Sequence, residues 1–166
     1  IAISKAFNSQ NIPVTNEILK TLTDAVVNKI TSLHLSEVSI EVIQDFVEKV
    51  LMENNQYEVL KAYILYREKQ ANKRSARNEI LSHFSTPQLD EILKAIQLEF
   101  DDSLYRLKDL GMKFFSFFKD NMKEEEKLDA LVRAAVELTT QEAPLWEYIA
   151  ARILLFKFNL GLNNKL

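Results

Sequence analysis

Cysteine is missing from all 166 residues. That absence excludes disulfides, thiolate metal sites and any thiol or thiyl-radical chemistry carried by these residues. Histidine is almost as scarce, with only His34 and His83, and neither has a second ligand at a useful helical offset. A histidine-rich metal site is therefore not expected, and both rings are expected at the surface or at its boundary. Two glycines and three prolines are too few for the frequent turns of a sheet-rich fold, so the chain reads as all-α. No apolar run approaches the ~20 residues of a membrane span. The opening IAISKAF has neither the basic flank nor the apolar stretch of a signal peptide, so a cytoplasmic protein with no membrane partner is expected. The first residue is Ile rather than Met and stands inside a helical pattern, which predicts a chain trimmed at its N-terminus. Twenty-one Lys and Arg against 24 Asp and Glu leave a net charge of -3, without the concentrated basic face that nucleic-acid binding requires.

What is present is ordinary soluble helix. Hydrophobic residues make up 47% and charged residues 27%, enough for one compact domain or two small ones, and two are favoured. Ile1 to about Asn8 reads as the end of a helix, with Ile1, Ile3 and Phe7 on its apolar side. Pro13 closes a loop, and Thr15 can cap a helix running to about Leu33. Ser39 is a good N-cap with Glu41 in the first turn, where the helix dipole favours an acid. Val42, Ile43, Phe46, Val47, Val50 and Leu51 then line one face, and Val59, Leu60, Tyr63 and Ile64 repeat that spacing on a partner helix. The second of these helices can continue to Ile80 or Leu81. SHFSTP, Ser82 to Pro87, is a break and module boundary. Pro87 opens a stretch that fits at least two helices, another runs from Lys123 or Glu124 to about Leu138, and Pro144 opens a last helix that Gly161 ends.

Clusters of chemically active side chains each have a plain alternative. Arg67, Lys69, Lys73, Arg74 and Arg77 could face phosphates, or could be a solvated helix end with cations at its negative terminus. Phe114, Phe115, Phe117 and Phe118 look like a ligand platform but fit a packed face better. The acid pairs Glu124 with Glu125 and Asp101 with Asp102 are sequence neighbours, which diverge on a helix, so they read as solvated caps rather than acid–base pairs. No phosphate-binding glycine loop, nucleophile elbow or paired metal-ligand motif occurs.

The order of side chains says more than their period. EVSIEVIQDFVEKVLM followed by KAYILYREK resembles the second half of an ATP-cone, a small nucleotide-sensing module usually fused to ribonucleotide reductases. EEEKLDALVRAAVELTTQEAPLWEYIAARILL resembles the all-α N-terminal region of the large subunit of reductases that act on diphosphates. Together these resemblances imply two all-α modules: residues 1–81, an ATP-cone lacking its N-terminal strand cap, and residues 86–166, the reductase N-terminal domain. They imply ATP and dATP as allosteric effectors and no catalytic cofactor. Catalytic cysteines are implied beyond Leu166, in the remainder of the catalytic subunit. A reductase small subunit and further copies of the large subunit are the implied partners. Carried over position by position, the nucleotide-binding residues would be Ser39, Tyr66, Arg67 and Lys69, with Lys5 a weaker candidate. The alternatives are a stand-alone ATP-cone regulator, a non-catalytic helical adaptor, and an anaerobic reductase bearing a cone.

The two halves also share a weak internal repeat. VIQDFVEKVLMENNQYEVLKAYILY and KLDALVRAAVELTTQEAPLWEYIAARILLF each give a helix, a short loop, an aromatic and an apolar helix with Ala at its inner turn. Hairpin packing alone produces such a likeness, and it does not by itself mark a second nucleotide site.

Overall fold

The computed structural model describes residues 1–163, and its described residues form eight helices and no strand. The chain divides into two compact units, Ile1–Ala71 and Asn72–Leu166. The first holds α1 (Ala2–Ser9), α2 (Asn16–Thr31), α3 (Ile40–Glu53) and the first part of α4 (Tyr57–Leu81). The second holds the end of α4, then α5 (Leu89–Glu99), α6 (Leu107–Phe115), α7 (Glu124–Glu137) and α8 (Trp146–Asn163).

Helices start where the caps predict. Thr15 Oγ1 accepts from the Ile18 amide at 3.2 Å and Ser39 Oγ from the Val42 amide at 3.4 Å, each satisfying a donor that has no partner within the helix. They end without glycine. Asn11, His34 and Asn55, just beyond α1, α2 and α3, take the left-handed backbone with φ of 53°, 50° and 57°. After α3 the Gln56 amide reaches back to the Leu51 carbonyl at 2.9 Å and Asn55 to Met52 at 3.1 Å, closing a Schellman-type end. Asparagine tolerates this conformation better than other non-glycine residues, which lets so glycine-poor a chain turn sharply.

The first unit is built on Ile3 and Phe7 from α1, Leu22 and Val26 from α2, Val50 and Leu51 from α3, and Val59 and Tyr63 from α4. The second gathers Ile80, Leu93, Leu110, Phe114, Leu131 and Ile153 about one core. Each fully buried apolar side chain contributes about 1.5–3 kcal/mol by leaving water. Phe114 is fully buried, with Phe115, Phe117 and Phe118 half-buried against the core, so the aromatic cluster is packing rather than a platform. His83 stands edge-on to Phe115 and Phe118 at 4.9 and 4.7 Å, a boundary residue as expected.

Three details differ from the sequence expectations. Pro87 and Pro144 each lie two residues before the helix proper, in a single turn closed by Asp90 N to Pro87 O at 3.2 Å and Glu147 N to Pro144 O at 3.3 Å. Gly161 does not end α8, which continues to Asn163. Its backbone is not left-handed and nothing crowds its Cα, so it only weakens the helix locally. Glu124 is not a solvated cap: its Oε1 accepts from the Ser85 amide at 2.8 Å and Thr86 Oγ1 at 2.7 Å, fastening the SHFSTP loop to the start of α7.

Candidate functional site

Four of the five candidate residues lie on the α3–α4 hairpin. The two helices run antiparallel, so the start of α3 approaches the middle of α4, and Arg67 marks the meeting point. Its Nη1 donates to Asp45 Oδ1 and Glu48 Oε1, both at 2.7 Å. Asp45 and Glu48 are three residues apart on α3 and share a face, the geometry in which one guanidinium can serve two carboxylates. Those hydrogen bonds, Glu48 first and then Asp45, raise the Arg67 pKa, and burial only partly opposes them. Beneath the clamp the Tyr63 ring is buried, and that burial, which outweighs the lowering by Arg67, pushes its phenol up.

Around Arg67 the other candidates are accessible. Tyr66 is 36% exposed, and Lys69 is exposed two residues beyond Arg67. Ser39 is exposed with its hydroxyl engaged as the α3 cap. Lys5 is exposed on a different helix, α1. The hairpin therefore brings Arg67, Tyr66 and Lys69 to one stretch of α4, while Lys5 stands on a separate element. The carboxylates that hold Arg67 were missed by sequence reasoning, although their i,i+3 spacing opposite an antiparallel arginine is a usable signal.

The basic run REKQANKRSAR does not form one phosphate-facing patch. In the second unit Lys73 pairs with Asp102 at 3.4 Å, and Arg77 pairs through Nε with Asp90 at 2.7 Å and through Nη1 with Gln97 at 2.8 Å. Asp90 also takes Lys94 at 2.8 Å, and that hydrogen bond chiefly holds its carboxyl below the usual range against the opposing effect of burial.

An open cavity of about 310 Å³ lies in the first unit, walled by Ile3, Leu19, Val26, Ile30, Ile43 and Val47, with Ser4 and Thr23 as its polar side chains. It suits an apolar surface rather than a phosphate chain. Among the described residues no group of His, Cys, Asp and Glu could hold a metal ion, and no helix is long and apolar enough to cross a membrane.

A small all-helical module is the class that the first unit's fold defines, and residues 1–72 match the ATP cone domain family. The match stops within one residue of the compact unit that ends at Ala71. Residues 1–72 belong to the ATP-cone family, and over its full length the chain is homologous to ribonucleoside-diphosphate reductase α subunits. It is 40% identical over 171 residues to "Ribonucleoside-diphosphate reductase subunit alpha" of Treponema pallidum (strain Nichols), covering 100% of this chain and 20% of that protein. It is 31% identical over 196 residues to the subunit of the same name from Chlamydia pneumoniae, covering 99% of this chain and 18% of that protein. The chain thus spans about one fifth of the length of the curated relatives it matches.

Proposed function

We propose that this region senses ATP and dATP for a ribonucleoside-diphosphate reductase, setting the activity of the catalytic subunit to which it belongs. The observation that supports the reading is the coincidence of the ATP-cone match, residues 1–72, with the unit Ile1–Ala71. Reduction itself would belong to the remainder of that subunit, with a reductase small subunit and further large subunits as partners in the cytoplasm. The two functional modules would be the cone at 1–81 and the reductase N-terminal domain at 86–166.

Within the cone, Tyr66 offers a ring to stack on a base or a hydroxyl to donate, and Lys69 offers a point charge for phosphate. Ser39 adds a hydroxyl at the positive end of α3, and Lys5 a more distant charge. Arg67 can bind a phosphate only by giving up Asp45, Glu48 or both, since its Nη1 already serves them. That exchange would tie ligand binding to the closure of the hairpin, and an effector acts only through contacts that differ between two states. The paired state of Arg67 favours a second reading, a helical adaptor with no nucleotide response.

Calorimetric titration of ATP and dATP separates the two. It is run on this chain and on a polypeptide of the length its relatives have, each alongside Tyr66→Leu and Lys69→Ser. The sensing role expects saturable binding that each substitution weakens about tenfold, a difference of about 1.4 kcal/mol. No binding heat at either length overturns it and leaves the adaptor.

A further inference from the structure

The first unit's hairpin has a counterpart in the second unit that matches it at many positions, though Val42, Ile43, Gln44 and Glu48 fall on Glu126, Lys127, Leu128 and Val132. α3 and α7 are both 14 residues long, Ile40–Glu53 and Glu124–Glu137, a constant offset of 84. At that offset Val47, Val50 and Leu51, the buried residues of α3, fall on Leu131, Ala134 and Ala135, all buried in α7. Amphipathic helices share such a period by default, so burial alone decides little. The outer face is the stronger sign: Glu41, Asp45, Lys49 and Glu53 fall on Glu125, Asp129, Arg133 and Glu137, the same charge each time. One of the three exposed apolar residues of α3 also recurs, Met52 at 51% on Val136 at 53%, whereas Ile40 and Ile43 fall on Glu124 and Lys127.

The returning helices agree at an offset of 90, where buried Val59 and Tyr63 of α4 meet buried Ile149 and Ile153 of α8. That register places Arg67 on Lys157. Lys157 Nζ pairs with Asp129 Oδ1 at 2.5 Å, as Arg67 pairs with Asp45 Oδ1 at 2.7 Å. Each cation also takes a second carboxylate from the same helix, but at a different place: Glu48, one turn after Asp45, at 2.7 Å for Arg67, and Glu125, one turn before Asp129, at 3.5 Å for Lys157, while Glu48 itself falls on Val132. A match of buried positions, outer charges and one cross-helix ion pair, at one offset for each helix, is the sign of a repeated unit.

We infer that the second unit's α7–α8 hairpin is a diverged second copy of the α3–α4 hairpin, one that has kept the clamp and lost the ligand-facing chemistry. The family match ends at residue 72 and assigns nothing to it. In the second copy Ser39 is replaced by Lys123, Tyr66 by Phe156 and Lys69 by Asn159. Lysine has no oxygen with which to cap a helix, and Phe156 has no hydroxyl and packs half-buried against the core. Small residues do the rest: Ala130, Ala134, Ala135 and Ala150 stand where the first copy has Phe46, Val50, Leu51 and Leu60, letting α7 and α8 approach closely. The clamp is therefore architecture common to both copies, and nucleotide response belongs to the first alone. The second half of that statement rests on the proposed sensing role.

Hydrogen exchange read by mass spectrometry on the full chain tests both halves. Asp45→Asn is expected to speed exchange in α3 and α4 about 3- to 10-fold and Asp129→Asn to do the same in α7 and α8, each confined to its own hairpin. Lys157→Met should repeat the effect of Asp129→Asn, and Lys157→Arg should restore protection because arginine is the first copy's own residue. An Asp129→Asn chain that exchanges like the parent while Asp45→Asn opens its hairpin overturns the shared clamp. Added ATP should slow exchange in the first hairpin only, and slowing in α7 or α8 overturns the loss of ligand response. ATP that slows neither hairpin counts against the sensing role, while the silent second copy is as inferred.

Discussion

Replacing Glu124 by Gln should loosen the second unit by about 1–2 kcal/mol at neutral pH. The carboxylate takes two hydrogen bonds from 38 and 39 residues away, at 2.7 and 2.8 Å, and faces Lys127 at 3.6 Å. Hydrogen bonds to a charged group contribute about 1.5–3 kcal/mol, and glutamine keeps one carbonyl oxygen to accept them while losing the charge. Its place in the first turn of α7 adds about 0.3–1 kcal/mol from the dipole, also lost on neutralisation. The side chain is 28% exposed, so water recovers part of both terms, and the neutral hydrogen bonds that glutamine keeps bring the net loss down to about 1–2 kcal/mol. The assay is urea unfolding followed by Trp146, the only tryptophan and buried in this unit. A double-mutant cycle with Thr86→Val should return about 0.5–1.5 kcal/mol of coupling. pH supplies an independent check. Burial pushes the Glu124 carboxyl up, but the Thr86 and Ser85 hydrogen bonds outweigh it and hold the pKa below its ordinary value. A depressed folded pKa means the stabilisation is whole above the unfolded value, about 4.3, and disappears as pH falls through the folded one. The difference between parent and variant should therefore vanish in acid. A variant as stable as the parent at pH 7, with coupling under about 0.3 kcal/mol, would refute the fastening role.

Phe114→Ala removes a fully buried ring at the centre of the second core and should cost about 3–5 kcal/mol in the same Trp146-monitored unfolding; a loss below about 1.5 would mean the site collapses around the gap. Asn55→Gly should stabilise the first unit by about 0.5–1 kcal/mol and Asn55→Ala destabilise it, followed by far-UV ellipticity, because φ is 57° there; equal midpoints for the two would contradict the left-handed cap. Gly111→Ala sets a helix gain of about 1 kcal/mol against a new Cβ 3.3 Å from Cγ1 of fully buried Ile80. Overpacking costs about 1–3 kcal/mol, so a net loss of roughly 1 is expected, and a higher thermal midpoint would show that Ile80 yields.

Helices were the most legible part of this chain, because each is written locally. Thr15 and Ser39 announce starts, and the three-four spacing in α3 and α7 names their buried faces without reference to any other segment. The proline positions were less legible, since a proline that fits the first helical turn fits a preceding single turn equally well. Long-range pairing was least legible of all. Nothing near Glu124 in the sequence points to Thr86, and nothing near Arg67 says that Asp45 and Glu48 already hold it. The Arg67, Tyr66 and Lys69 grouping could be read from order along one helix, whereas the electrostatic state of Arg67 needed the third dimension. The repeat was visible only as a likeness of pattern until burial set the α4 and α8 registers and placed Lys157 opposite Asp129.

Apart from Tyr63, Tyr105 and Trp146, the described residues bury no polar or charged side chain in either unit. An interior with so few side-chain hydrogen bonds, such as that from the Leu145 amide to the Tyr105 hydroxyl at 3.3 Å, rarely requires that two positions change together: Val50 can be Ala134 and Leu51 Ala135 as long as the helices close the space. Mutations in such a core are graded by volume alone, so neutral paths between distant sequences stay open while the backbone path is preserved. The constraint then moves outward to the few cross-helix ion pairs that set register. Two hairpins could in this way drift apart in nearly every interior side chain and still lay the same carboxylate against the same cation.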